Sequence, residues 1–216
     1  MGVPLTPPAA KRAITFFDGQ NLFHQAKDSF GYYYPNYDVQ RLSESVCAAK
    51  GWNLTSVRFY TGVPDPSDDH FWNYFWNAKL ASLGSRGVEV FSRSLRYRNK
   101  LIPGTTRSIL VGEEKGIDVR IALDIIRLAV RSEYDVAVVF SQDQDLSEVA
   151  DEIRVISKLL KRWLWIACAY PVSPTSRNKR GINHTDWIKI DRATYDACLD
   201  PKNYRPPPTP PASATP

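Results

Sequence analysis

Two aspartates, Asp143 and Asp145, stand one residue apart in the stretch Ser141-Gln142-Asp143-Gln144-Asp145-Leu146. The apolar run Ala137-Val138-Val139-Phe140 leads straight into it. Carboxylates at that spacing repel each other unless a cation or hydrogen-bond donors offset them, and hard divalent cations such as magnesium take carboxylate oxygens as ligands. Taken alone, the pair reads equally well as one helix cap beside one solvated side chain. Two more stretches bring aspartates to comparable places. Ala13-Ile14-Thr15-Phe16-Phe17 ends at Asp18-Gly19, followed by Gln20 and Asn21. Lys115-Gly116 opens an apolar stretch whose first turn carries Asp118. Asp-Gly is a common turn pair, and a helix dipole favours a carboxylate in its first turn, so each is unremarkable by itself. If the strands ending at Phe17 and Phe140 are neighbours, Asp18 and Asp143 meet at one rim, and Asp118 projects onto it. Lys115 then reaches a phosphate or a carboxylate. Asp124 lies about 240° further round the helix from Asp118 and reads as structural.

The elements needed to position these residues follow from periodicity. Strands are expected over 13–17, 54–61, 88–91, 134–141, 163–170 and 187–190. Helices are expected up to residue 29, then over 38–50, 68–83, 117–130, 146–160 and 194–199, with Asp38 and Asp68 or Asp69 as N-caps. Alternating strands and helices predict an α/β fold with a mostly parallel central sheet and helices on both faces. In such sheets, sites form beyond the carboxyl ends of the strands. One domain over 13–200 is expected, between a flexible N-terminus at 1–12 and a Pro-rich tail at 201–216 that is disordered or polyproline-like. The stripe Phe71, Trp72, Phe75, Trp76, Leu80 and Leu83 reads as core rather than as a stacking platform.

The net charge is +5 and the pI about 9.1, compatible with a polyanionic partner. Basic residues gather in two places. Arg96 and Arg98 lie with Tyr97 in a hairpin or loop, and Arg177, Lys179 and Arg180 in a second loop; both suit contacts to a nucleic-acid backbone. No G-x-S-x-G, phosphate-loop or G-x-G-x-x-G pattern is present, which argues against triad hydrolases, P-loop and dinucleotide chemistry. His24, His70 and His184 are scattered, and Cys47, Cys168 and Cys198 have no zinc spacing. These cysteines read as reduced thiols of a cytoplasmic protein. No apolar run approaches a membrane span. Carboxylates without nearby His or Cys favour Mg2+ or Mn2+.

Three segments then match a known pattern. Phe17-Asp18-Gly19-Gln20-Asn21-Leu22, Lys115-Gly116-Ile117-Asp118-Val119 with Leu123-Asp124, and Ser141-Gln142-Asp143-Gln144-Asp145-Leu146 resemble, in order and spacing, the three signatures of NYN domains, PIN-like nucleases of the LabA-like branch. The resemblance implies a PIN-like three-layer sandwich and metal-dependent endonucleolytic cleavage of RNA. It implies Asp18, Asp118, Asp143 and Asp145 as the catalytic and Mg2+- or Mn2+-binding carboxylates, with Asn21 and Ser141 as polar support. Gln142 departs from the pattern, since the family more often has glycine there, and its side chain is expected to crowd the turn. The alternatives are a regulatory RNA-binding module with the same fold and a DNA-directed nuclease. The expected partner is single-stranded RNA, with self-association through the aromatic surface.

Overall fold

A computed structural model of the chain describes residues 5–207. Six strands form one sheet: β1 (Lys11–Asp18), β2 (Trp52–Val63), β3 (Glu89–Ser94), β6 (Val136–Phe140), β7 (Trp165–Pro171) and β8 (Asp186–Ile190). Their order is β3-β2-β1-β6-β7-β8, and every neighbouring pair runs parallel. The remaining strands, β4 (Arg96–Leu101) and β5 (Ser108–Glu113), make a separate antiparallel hairpin.

Helices cover both faces, because the strand residues alternate in direction and both sets are apolar. On one side Ala13, Phe17, Val57, Phe59, Val138 and Phe140 pack against α1 (Gly19–Phe30), α2 (Val39–Ala49) and α3 (His70–Ser85). On the other side Ile14, Phe16, Ala137, Val139 and Cys168 meet α4 (Ile117–Val130) and α5 (Ser147–Leu159). The short α6 (Arg192–Ala197) follows β8. This is the expected α/β three-layer sandwich. Within α3, Phe75, Trp76, Leu80 and Leu83 are core, whereas Phe71 and Trp72 are only partly covered.

The packed chain is longer at both ends than the expected 13–200. β1 starts at Lys11, and Arg12 is fixed by Asp135, which accepts from its backbone N–H at 2.8 Å and from its Nε at 3.1 Å. At the other end Tyr204 is buried and donates to Asp200 at 2.7 Å. Residues 205–207 follow, and the rest of the expected Pro-rich tail lies outside the described residues. No helix among the described residues is long and apolar enough to cross a membrane.

Between β1 and β6 the winding reverses: β1 leads outward to β2 and β3, and β6 leads the other way to β7 and β8. A crevice opens at such a switch point, beyond the carboxyl ends of the two strands. Phe17 pairs with Phe140 in register, their rings stacked 3.9 Å apart, so the next residues on each strand are Asp18 and Ser141.

Candidate active site

Asp18 is the last residue of β1 and caps α1, accepting the Asn21 N–H at 3.1 Å. It is 5 % exposed. The Ser141 hydroxyl donates to its other oxygen at 3.3 Å, while the same hydroxyl accepts the Asp143 N–H at 3.1 Å. One side chain thus sets both aspartates. Asp143 caps the short 3-10 turn Gln144–Leu146 by accepting the Asp145 N–H at 3.0 Å. Asp145 itself is exposed at the outer edge. Asn21 joins the first and third motifs, its carbonyl oxygen accepting the Gln142 N–H at 3.0 Å and a bond from the Gln25 amide.

Asp118 sits half-buried in the first turn of α4, as expected. The residue that sequence reasoning missed is Glu114. It follows β5, and its carboxylate accepts the Gly62 N–H at the end of β2. A Cβ on Gly62 would stand 2.7 Å from the Glu114 side chain, so this approach requires glycine. In the sequence Glu114 shows only as one of two adjacent glutamates, and the contact that recruits it spans two distant segments.

The electrostatics mark the cluster. Burial first, then the charges of Glu114 and Asp143, raise the Asp18 carboxyl to about 7. Burial first, then Asp118, raises Glu114 to about 7. Asp18 thus lies within the field of Glu114 and Asp143, and Glu114 within that of Asp118. Lys115 is half-buried beside Asp118's helix and makes no ion pair among the described residues.

All the donors are hard oxygens, which suits Mg2+ or Mn2+. Among the described residues no three His, Cys, Asp or Glu side chains gather into a ready-made metal cage.

Asp124 points elsewhere, as its helical position predicts. It is buried and accepts from Tyr60 at 2.9 Å, Arg120 at 3.1 Å and Arg127 at 2.8 Å, with Arg58 at 3.8 Å.

The two basic segments fall on different sides. The Arg96–Leu101 strand belongs to the hairpin, where Arg98 and Lys100 lie 3.8 and 2.8 Å from Glu113. Arg96 and Arg98 alternate with Tyr97 and so face away from it. Loop 172–185 lies against the site turn. Its Arg177 pairs with Asp28 at 3.3 Å, the Lys179 ammonium donates to the Pro174 carbonyl at 2.6 Å, and the Arg180 guanidinium lies 3.5 Å from Asn183. A shallow cleft of about 300 Å3 joins Asn21 and Gln142 to Arg177.

Gln142 does not crowd the turn. Its buried amide donates to the Arg180 carbonyl at 2.7 Å, and Gln144 donates to the Gly181 carbonyl at 3.0 Å. The departure from glycine fastens the basic loop beside the aspartates.

The fold and this acidic switch-point rim define a PIN-like α/β protein. The chain belongs to the NYN domain family, whose model matches residues 12–162. NYN domains are nuclease-like folds. No curated protein matches. Among solved structures, a protein of unknown function from Vibrio parahaemolyticus is similar in fold, with a TM-score of 0.52 at 17 % identity over 87 % of this chain and 97 % of that one. MurG of Acinetobacter baumannii gives a TM-score of 0.32 at 9 % identity over 83 % of this chain and 45 % of its own.

Proposed function

We propose that this protein is a Mg2+- or Mn2+-dependent endoribonuclease acting on single-stranded RNA at the rim of Asp18, Glu114, Asp118 and Asp143. The observation that carries this reading is the convergence of Asp18 and Asp143 on one Ser141 hydroxyl at the switch point of a nuclease-like NYN fold. A divalent cation would stabilise the ionised form of these carboxylates.

When bound there, the cation supplies neutralisation of phosphate charge and a more acidic water. Asp18 at the end of β1 and Asp143 in the turn after β6 would hold it, kept in relation by the single Ser141 hydroxyl. Glu114 and Asp118 complete the negative field from the α4 side, and Asp145 stands ready at the outer edge. Arg177, Lys179 and Arg180 hold the backbone on the β7 side, and Lys115 supplies a further cation close to the carboxylates.

The test is cleavage of a labelled single-stranded RNA with Mn2+, with Mg2+ and with EDTA, alongside Asp143→Asn. Cutting that needs the metal and disappears in the variant supports the assignment; cutting that survives in Asp143→Asn defeats it. The open arrangement, with no three ligands pre-gathered, also favours a second reading as an RNA-binding module that does not turn over. That reading predicts salt-sensitive RNA retention without scission in any metal.

A further inference from the structure

A cleft of about 470 Å3 opens between α1, the start of α3 and the β4–β5 hairpin. Phe23, His24, Trp72 and Tyr97 contribute ring surface to it, and Gln20 and Asp68 contribute polar edges. It adjoins the acidic rim through shared residues. Gln20 follows Asp18 by two positions and donates to the Gly62 carbonyl at 3.1 Å, while Gly62 donates its own N–H to Glu114.

We propose that this cleft receives one unstacked nucleobase of the strand whose phosphodiester lies at the rim. The inference rests on the reading of the rim as an RNA site and adds to it the recognition of a base. Three observations favour a base as occupant. The size and mixed lining are those of a small-molecule site, with aromatic walls and a few placed polar groups. Asp68 and Asp69 line it, and their negative charge repels a phosphate while accepting the N–H groups of a base edge. Lys27, the cation of the lining, suits the backbone rather than the base.

The hairpin is built for such a division of labour. Tyr97 pairs in register with Gly112, and a Cβ there would stand 3.1 Å from the Tyr97 ring. Glycine thus leaves the ring free to lie across the hairpin. The Tyr97 hydroxyl accepts the Asp65 N–H at 3.2 Å, which steadies it against the loop before α3. The basic residues Arg96, Arg98 and Lys100 occupy the other face of the same strand. One face offers a stacking surface, and the other offers charge. Trp72 is half-buried and in contact with Phe23, their centroids 5.8 Å apart, so the inner wall is already fixed before a base arrives.

The test is equilibrium binding in EDTA, which separates recognition from cleavage. Fluorescence anisotropy would follow labelled eight-residue RNAs, intact and with every base removed, on the parent, Tyr97→Ala, Tyr97→Phe and Gly112→Val. Tyr97→Ala and Gly112→Val should each weaken intact RNA about tenfold, the scale of one lost stacking contact. Tyr97→Phe keeps the ring and loses only the bond from the Asp65 N–H, so it should weaken intact RNA by no more than about threefold. The salt dependence should stay unchanged, since no charge is removed. Base-free RNA should bind weakly and equally to all four proteins. Parental affinity in Tyr97→Ala, or equal binding of base-free and intact RNA, overturns the base site while leaving the RNA reading standing. A parent that binds no RNA at low salt overturns both.

Discussion

Asn21 and Gln142, 121 residues apart in the chain, are joined by one bond: the Asn21 side-chain oxygen accepts the Gln142 N–H at 3.0 Å. It ties the turn after β1 to the turn after β6, and the Gln142 side chain extends the tie to the loop carrying Arg177, Lys179 and Arg180.

Gln142→Gly should therefore leave the fold intact and release that loop. The lost amide bond and the added backbone freedom together cost about 1–2 kcal/mol. Trypsin should cut faster after Arg177, Lys179 or Arg180. RNA affinity should fall about threefold, because the loop must then be ordered on binding.

Asp18→Asn should stabilise the metal-free protein while abolishing cleavage. The folded-state pKa of Asp18 is about 7, above its unfolded value, so the folded state binds the extra proton. The favourable contribution is complete below the unfolded pKa and is lost as pH rises towards 7. The advantage of Asn should accordingly grow from about pH 4 to about pH 7 and level off at on the order of 2–4 kcal/mol. Thermal unfolding in EDTA across that range checks it; an advantage that shrinks with rising pH would sink the argument.

Glu114→Gln should slow cleavage by about 10–100-fold, comparably to loss of Asp118, if both shape the field at the rim. The charge of Glu114 helps to hold the Asp18 proton, so its removal should shift the Asp18 titration to lower pH. A carbon-detected NMR titration in EDTA reads that shift directly, and an unmoved Asp18 would place Glu114 outside the cluster.

Asp124→Ala should destabilise by about 1–3 kcal/mol without a specific effect on metal response, because it removes the buried acceptor of Tyr60, Arg120 and Arg127, while Arg58 keeps Glu89 and the two other guanidiniums are partly solvated. Denaturant unfolding gives the magnitude. A variant of parental stability would show that the cluster is not a structural brace.

Much of the frame was legible locally. The helix near 117–130 is legible in the chain, because its apolar repeat is a local feature. The strands ending at Phe17 and Phe140 showed as continuous apolar runs, since both faces of a parallel sheet are covered. Three aspartate-bearing turns in order carried the family and the candidate carboxylates. The angular spacing on α4 was enough to turn Asp124 away from Asp118.

What the chain alone left open depended on contacts between distant segments. Glu114 enters the site only because Gly62, 52 residues earlier, lets its carboxylate come close to the end of β2. Whether the glutamine in a glycine's place crowds a turn or fastens a loop depends on a carbonyl 38 residues away. The aromatic repeat of α3 was divided by packing, with Phe75 sunk in the core and Trp72 left at a cleft wall. Periodicity shows which side chains share a face of an element. Only the arrangement of the sheet and its coverings decides what that face meets.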